Sequence, residues 1–322
     1  MNISSERLRR EAEATGFRPE VLEKVIHLLN LLEALRSHPF LKDRLVLKGG
    51  TALNLFILDL PRLSVDIDLN YIGALDRDTM LAERPKVEQA IQAVCAREGF
   101  GLQRFPEDHA GGKWVLRYES ALGQGANLEL DLNFMFRVPL WPITVQGSHK
   151  VGSYRAEHIP VLEFHELTAG KLVALLARRA SRDLFDAYHL LTQCSFDGDR
   201  LRTAFVLYGA MSRKDWRTVS VDDVSLEPNE LKNQLLPTLR NDYAGEIGRP
   251  DAWARHLVAE CRDALGTVLP LSEPEREFLD RLLDYGEIVP SLLAADEAWA
   301  DVIKQHPLLE WKALNVRQHK GR

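Results

Sequence analysis

An α+β fold is predicted for this 322-residue chain, with a mixed sheet and flanking helices first and a helical region after. Three observations carry the prediction. Five short runs, at 45–47, 65–69, 102–105, 113–119 and 128–135, are apolar or alternate apolar with polar residues, the period of a strand. Longer runs repeat near 3.6: Val21, Leu22, Val25, Ile26, Leu28, Leu29, Leu32 and Leu35 in the first, and residues 78–97 in the second. After Pro139 and Pro142 the composition shifts, and from His165 the pattern is helical almost to the end, apart from a polar stretch at 218–228. This places a mixed α/β domain at 1–160 and a helical domain at 161–322, in keeping with ordinary domain sizes.

The elements follow in order. The first 40 residues read as helix, ended by Ser37, His38 and Pro39. Residues 45–47 run as a strand into Lys48-Gly49-Gly50-Thr51, and a helical turn follows from Ala52. The run at 65–69 sets Val65, Ile67 and Leu69 against Asp66 and Asp68, a half-buried strand. Gly111-Gly112 and Gly123-Gln124-Gly125 punctuate the next strands. The last of them opposes Leu128, Leu130 and Leu132 to Glu129, Asp131 and Asn133. Arg317 to Arg322 reads as a disordered tail.

Composition excludes several classes. A net charge of −6 rules out a globally basic nucleic-acid-coating protein, so a nucleic-acid partner must meet a local basic surface. Three well-separated cysteines make neither a disulfide framework nor a CxxC metal pair, which fits a reducing cytosol. The N-terminus lacks a signal-peptide core, and no apolar run approaches the roughly 18 residues of a membrane span. The expectation is a soluble cytoplasmic protein without a membrane partner. No Walker lysine follows the glycines and no serine sits in a nucleophile elbow.

The chemistry concentrates at 48–70, KGGTALNLFILDLPRLSVDIDLN. Asp66 and Asp68 lie two apart on a strand and so share a face, roughly 6–7 Å apart along the backbone. Two carboxylates that close repel unless a cation bridges them, and hard oxygen ligands suit Mg²⁺. Taken alone, the pair reads as the wet face of an edge strand. Upstream, the glycines let backbone approach a ligand, and unpaired N–H groups at a helix start attract phosphate. Asp131 lies on a similar polar face. Three such acids can hold divalent ions that align a nucleoside triphosphate for in-line attack. At 165–191, Lys171, Arg178, Arg179 and Arg182 form a run of cations, either a solvated face with an Arg182–Asp186 pair or a counter-charge to phosphates. Lys171 and Arg178, seven apart, are expected on one helix face. Arg137, Lys150, Arg213, Lys214 and Arg217 are further candidate cations. His165 and His189 read as packed or surface residues rather than ligands.

The order hGG(T/S), then RxSxDhDh, then a third strand acid resembles the DNA-polymerase-β-type nucleotidyltransferase superfamily. The fuller text LVLKGGTAL, PRLSVDIDLNY and ELTAGKLVALLARRASRDLFDAYHL, spanning roughly 45–192, resembles its AbiEii/AbiGii-type toxin branch, which includes the mycobacterial MenT toxins. The resemblance implies a polymerase-β-like core, with Gly49, Gly50 and Thr51 at the phosphates and Arg62 and Ser64 flanking the acids. It implies Asp66 and Asp68 as catalytic metal ligands, with Asp131 as the third. It also implies Lys171 and Arg178 at the nucleotide and a further acid from RDLFDAY, either Asp183 or Asp186, with Asp186 slightly favoured. The helical domain would thus contribute to the site. The implied activity transfers NMP from an NTP, with Mg²⁺ or Mn²⁺, to the 3′ acceptor end of tRNA, releasing pyrophosphate and arresting growth. A cognate antitoxin would restrain it in a toxin–antitoxin or phage-defence system. Transfer to a protein or an aminoglycoside-like small molecule is one alternative, and a non-catalytic nucleotide-sensing module is another.

Overall fold

The computed structural model describes residues 3–59, 61–104, 111–294 and 297–319. Two compact units emerge. The first comprises Met1–Pro139, Ile143–Leu162 and Leu235–Gly248; the second comprises Leu140–Pro142, Glu163–Gln234 and Arg249–Arg322.

The first unit is built on a seven-stranded mixed sheet. Its strands are β1 (Leu45–Lys48), β2 (Asp66–Tyr71), β3 (Gly101–Arg104), β4 (Gly111–Glu119), β5 (Gly125–Asn133), β6 (Thr144–Gln146) and β7 (Ile159–Val161), in the order β3-β4-β5-β2-β1-β7-β6. β2 runs parallel to β5 and antiparallel to β1, and β1 runs parallel to β7. Residue 105, the expected end of the third strand, lies outside the described residues. Strands β6 and β7 are three residues each, too short to carry a readable alternation.

Helices α1 (Ser5–Thr15) and α2 (Pro19–Ser37) replace the single N-terminal helix expected from periodicity. Gly16 separates them, taking a left-handed conformation (φ 72°) that closes α1. Pro19 then opens α2, where its missing N–H costs nothing. α2 is apolar nearly all round, with Leu22, Val25, Ile26, Leu28, Leu29, Leu31 and Leu32 buried. It packs with α4 (Arg77–Arg97) on the apolar side of the sheet, where Ile67, Leu69, Trp114, Leu116, Leu128, Leu130 and Leu132 are also buried. The period-two alternation therefore sends the acids of β2 and β5 to the opposite side.

The Leu235–Gly248 segment returns to the first unit. The Leu63 N–H donates to Thr238 O (3.0 Å), the Arg240 N–H donates to Pro61 O (2.9 Å), and Arg62 bridges Leu239. Sequence reading places this segment in the helical domain at 161–322, because its pattern reads as helical and nothing local marks a return to the sheet unit.

The second unit is helical. It contains α5 (Phe164–Ala177), α6 (Ser181–Gln193) and α7 (Gly198–Met211), with further helices at Pro250–Ala264, Glu273–Asp280, Glu297–Lys304 and Pro307–His319. The last of these carries helix through His319, where a disordered tail was expected from Arg317; residues 320–322 lie outside the described residues. Among the described residues no helix is long and apolar enough to cross a membrane.

Candidate active site

In the first unit, β1 ends at Lys48 and the chain turns directly into a helical run, Gly49–Ala52, that widens to a π turn at Leu53–Ile57. The helix thus begins three residues earlier than expected, at Gly49, with Lys48 at its cap. Gly49 has φ +71°, a conformation L side chains rarely adopt. It also gives room to Asp68: a Cβ there would lie only 2.8 Å from the Asp68 Cγ. Gly50 faces Ser64, whose Oγ would lie 2.9 Å from an added Cβ, and the Arg62 guanidinium beyond it at 3.6 Å.

Thr51 is fully buried, and its hydroxyl donates to the backbone carbonyl of Asp66, tying the turn to β2. The Asn54 amide donates to Gly50 O at 2.8 Å. Arg62 is 2% exposed and donates to Leu63 O. The sequence-predicted group Gly49, Gly50, Thr51, Arg62, Ser64, Asp66 and Asp68 is therefore gathered at one place.

Register brings Asp131 to the acid pair. On β2 and β5, Asp66 stands opposite Glu129 and Asp68 opposite Asp131. The row continues both ways, with Lys48 on β1 opposite Asp68 and Lys113 on β4 opposite Asp131. Residues directly opposite share a face, so one transverse line reads Lys48, Asp68, Asp131, Lys113. Lys113 Nζ donates to Glu129 at 2.6 Å. That hydrogen bond, with the charges of Glu129, Asp66 and Asp131, raises the lysine pKa. Lys48 Nζ lies 5.6 Å from the centre of the Phe136 ring.

Sequence reasoning missed both lysines as neighbours of the acids. One signal could have found Lys113: reflecting Asp131 through the hairpin that closes at Glu119 and Gly125 lands on residue 113.

The donor set can be tested against a divalent ion. Among the described residues, no group of three or more His, Cys, Asp or Glu side chains stands close enough to hold a metal by itself. Mg²⁺ rarely asks for such a cage; it is commonly held by one or two carboxylates, with waters and substrate phosphates completing the octahedron. The hard oxygens of Asp66 and Asp68, the latter lodged against a glycine that leaves it room, fit that demand.

In the second unit, Lys171 is 7% exposed and reaches Asp183 Oδ1 at 2.8 Å and Asp186 Oδ2 at 2.9 Å. Arg178 Nε meets Asp183 Oδ2 at 2.6 Å. Burial would raise the Asp183 pKa, but the Lys171 and Arg178 charges and hydrogen bonds outweigh it and lower the pKa. Both acids of the RDLFDAY segment thus meet the same lysine. α5 ends at Ala177, and Arg178 is its extended cap, so Lys171 and Arg178 do not share one helix face as their spacing suggested. Asp186 is fully buried and pairs with Lys171, so this part of the helix is not simply a solvated face.

His189 is packed against Phe185, ring centres 4.5 Å apart, and burial lowers its pKa. His165 Nδ1 bonds Glu163 at 2.8 Å, and its Nε2 accepts from the Asp197 N–H. The other expected cations are largely engaged. Arg137 is buried and donates to the Leu75 and Phe134 carbonyls. Arg217 meets Asp215, Asp280 and Asp284, and Lys214 meets Asp223.

The sequence model of the family described as "Nucleotidyl transferase AbiEii toxin, Type IV TA system" matches residues 30–265, and the chain belongs to that family. Among solved structures it is similar to MenT4, a nucleotidyltransferase toxin from Mycobacterium tuberculosis. That likeness has a TM-score of 0.57 at 19% identity, covering 98% of this chain and 99% of the other, and concerns the fold. No curated protein matches the sequence. The family makes the chain a nucleotidyltransferase of a toxin–antitoxin system, and an antitoxin partner follows from that membership.

Proposed function

We propose that the chain transfers a nucleoside monophosphate from an NTP to the 3′ hydroxyl of tRNA at the face formed by β2 and β5, in a divalent-metal-dependent reaction. The observation that carries the reading is the Asp68 carboxylate lodged against Gly49, which joins the acid pair to the glycine turn. In this reading the backbone N–H groups of the Gly49–Gly50 turn, with Thr51 beside them, receive the triphosphate. Arg62 and Ser64 brace the turn through Gly50.

Asp66 and Asp68 would hold Mg²⁺ or Mn²⁺, with Asp131 supporting from the next strand. When bound, the metal offsets charge on the phosphates and on the transition state. The acceptor oxygen attacks the α-phosphorus. A new P–O bond forms, the α–β bridging bond breaks, and pyrophosphate departs with the electron pair while the hydroxyl proton passes to Asp131. Lys171, held by Asp183 and Asp186, is the proposed further counter-charge to the triphosphate, with Arg178 beside it.

The test uses pure protein, Mg²⁺, each of the four α-labelled NTPs, and either total tRNA or cell lysate. Label in tRNA supports the reading, and label in polypeptide or a small molecule replaces the acceptor. Asp66→Ala is expected to abolish transfer and toxicity together. Transfer retained by that variant would remove the metal-binding argument.

A further inference from the structure

The transverse row of charges sets a direction across the site. Lys48, Asp68, Asp131 and Lys113 succeed one another over β1, β2, β5 and β4, with neighbouring strands about 4.8 Å apart. The glycine turn lies at the β1 end, where Gly49 continues from Lys48 and touches Asp68. In phosphoryl transfer the attacking and leaving oxygens stand roughly in line on opposite sides of phosphorus. With the leaving pyrophosphate drawn to the glycine turn, the acceptor enters from the other end of the row, across Asp131. The first cation it meets there is Lys113.

We propose that Lys113 is a positioning residue that grips a phosphodiester of a polyanionic acceptor and so sets its terminal hydroxyl beside Asp131. The proposal rests on the nucleotidyl-transfer reading of the Asp66–Asp68–Gly49 site.

The lysine is suited to the task. Its side chain is 52% exposed, so an incoming strand reaches it. Glu129 engages it through one hydrogen bond, and an ammonium has three N–H donors. Along β4 the same face carries Val115, Arg117 and Glu119, so charge on this flank is mixed and the contact is a single point rather than a broad basic patch. Such a contact is compatible with a chain whose net charge is −6.

The experiment compares wild type, Lys113→Met and Lys113→Arg in steady-state transfer from labelled NTP to total tRNA, with tRNA and NTP varied separately. Losing one charge-assisted hydrogen bond should raise the KM for tRNA roughly 10- to 100-fold. The KM for NTP should stay unchanged, and Lys113→Arg should recover most of the loss. The log–log salt dependence of tRNA binding, measured without NTP, should become shallower by about 0.7 in Lys113→Met.

A tRNA KM within twofold of wild type, or an NTP KM that rises in its place, overturns the proposal and leaves the transfer reading intact. Wild-type label found in polypeptide alone does the same. Transfer retained by Asp66→Ala sinks the transfer reading instead, and a wild type that labels nothing overturns both.

Discussion

Gly49 is where backbone conformation and site geometry can be separated by experiment. Gly49→Ala would impose two distinct penalties. A left-handed alanine costs about 1–2 kcal/mol, as it would at any such site. The second penalty is local: the new Cβ would stand 2.8 Å from the Asp68 Cγ, against a carbon–carbon optimum of about 3.5–4.0 Å. The carboxylate must therefore retreat by roughly 0.7–1.2 Å, and a misplacement near 1 Å can cost about 100-fold in rate. Gly99 supplies the control, because it too is left-handed (φ +88°) but has nothing within 4 Å of an added Cβ. Both variants should lose about 1–2 kcal/mol in urea unfolding. Only Gly49→Ala should lose about 100-fold in kcat/KM, followed as pyrophosphate release. Equal activity in the two variants would show that the carboxylate's seat against Gly49 is immaterial to the chemistry.

Two further outcomes concern the helical unit. Lys171→Met leaves Asp183 and Asp186 buried without their shared cation and should destabilise the fold by about 3–5 kcal/mol in urea unfolding, much of it recovered when both aspartates are also changed to asparagine. The lowered Asp183 pKa contributes stability that is present above the unfolded value near 3.9 and lost as pH falls through the folded one. Glu166 has the opposite sign. Burial pushes its carboxyl up to about 8, although the Tyr208 hydroxyl and the Leu140 N–H donate to it. Between its unfolded value and about 8 the folded state binds the extra proton, so this group should erode stability by roughly 1.4 kcal/mol per pH unit as pH rises. Unfolding free energies of Glu166→Gln and wild type across pH 5–8 should therefore differ in slope, and parallel curves would contradict the shift.

What could be read directly from sequence was what is local along the chain. The Lys48-Gly49-Gly50-Thr51 turn and the Asp66–Asp68 alternation each fit within a few residues, and both appear where expected. Partnerships across the sheet were not legible, because β2 and β5 are parallel neighbours separated by some sixty residues and two further strands. Nothing in either strand alone says that Asp68 stands opposite Asp131, or that Lys113 closes the line. In the helical motif, which is a pair of helices, only the shared face of Lys171 and Arg178 fails, for a related reason. Spacing from Lys171 to Arg178 assumes an unbroken helix, and the extended cap at Arg178 and the restart at Ser181 fold Asp183 and Asp186 back onto the lysine. Arg137 and Arg217 looked available as charges in a one-dimensional text; burial and three carboxylates, respectively, have already taken them up.

The Leu235–Gly248 return gives the order of synthesis a meaning. A ribosome delivers the acids and the glycine turn early, yet the stretch at Arg62 acquires its Thr238 and Leu239 partners only after another 177 residues (239 minus 62) have emerged. At about 5–20 residues per second, that interval is roughly 9–35 s per molecule. Throughout it, Arg62 and Leu63, on the approach to the acids of β2, lack the backbone partners that hold them in the finished fold.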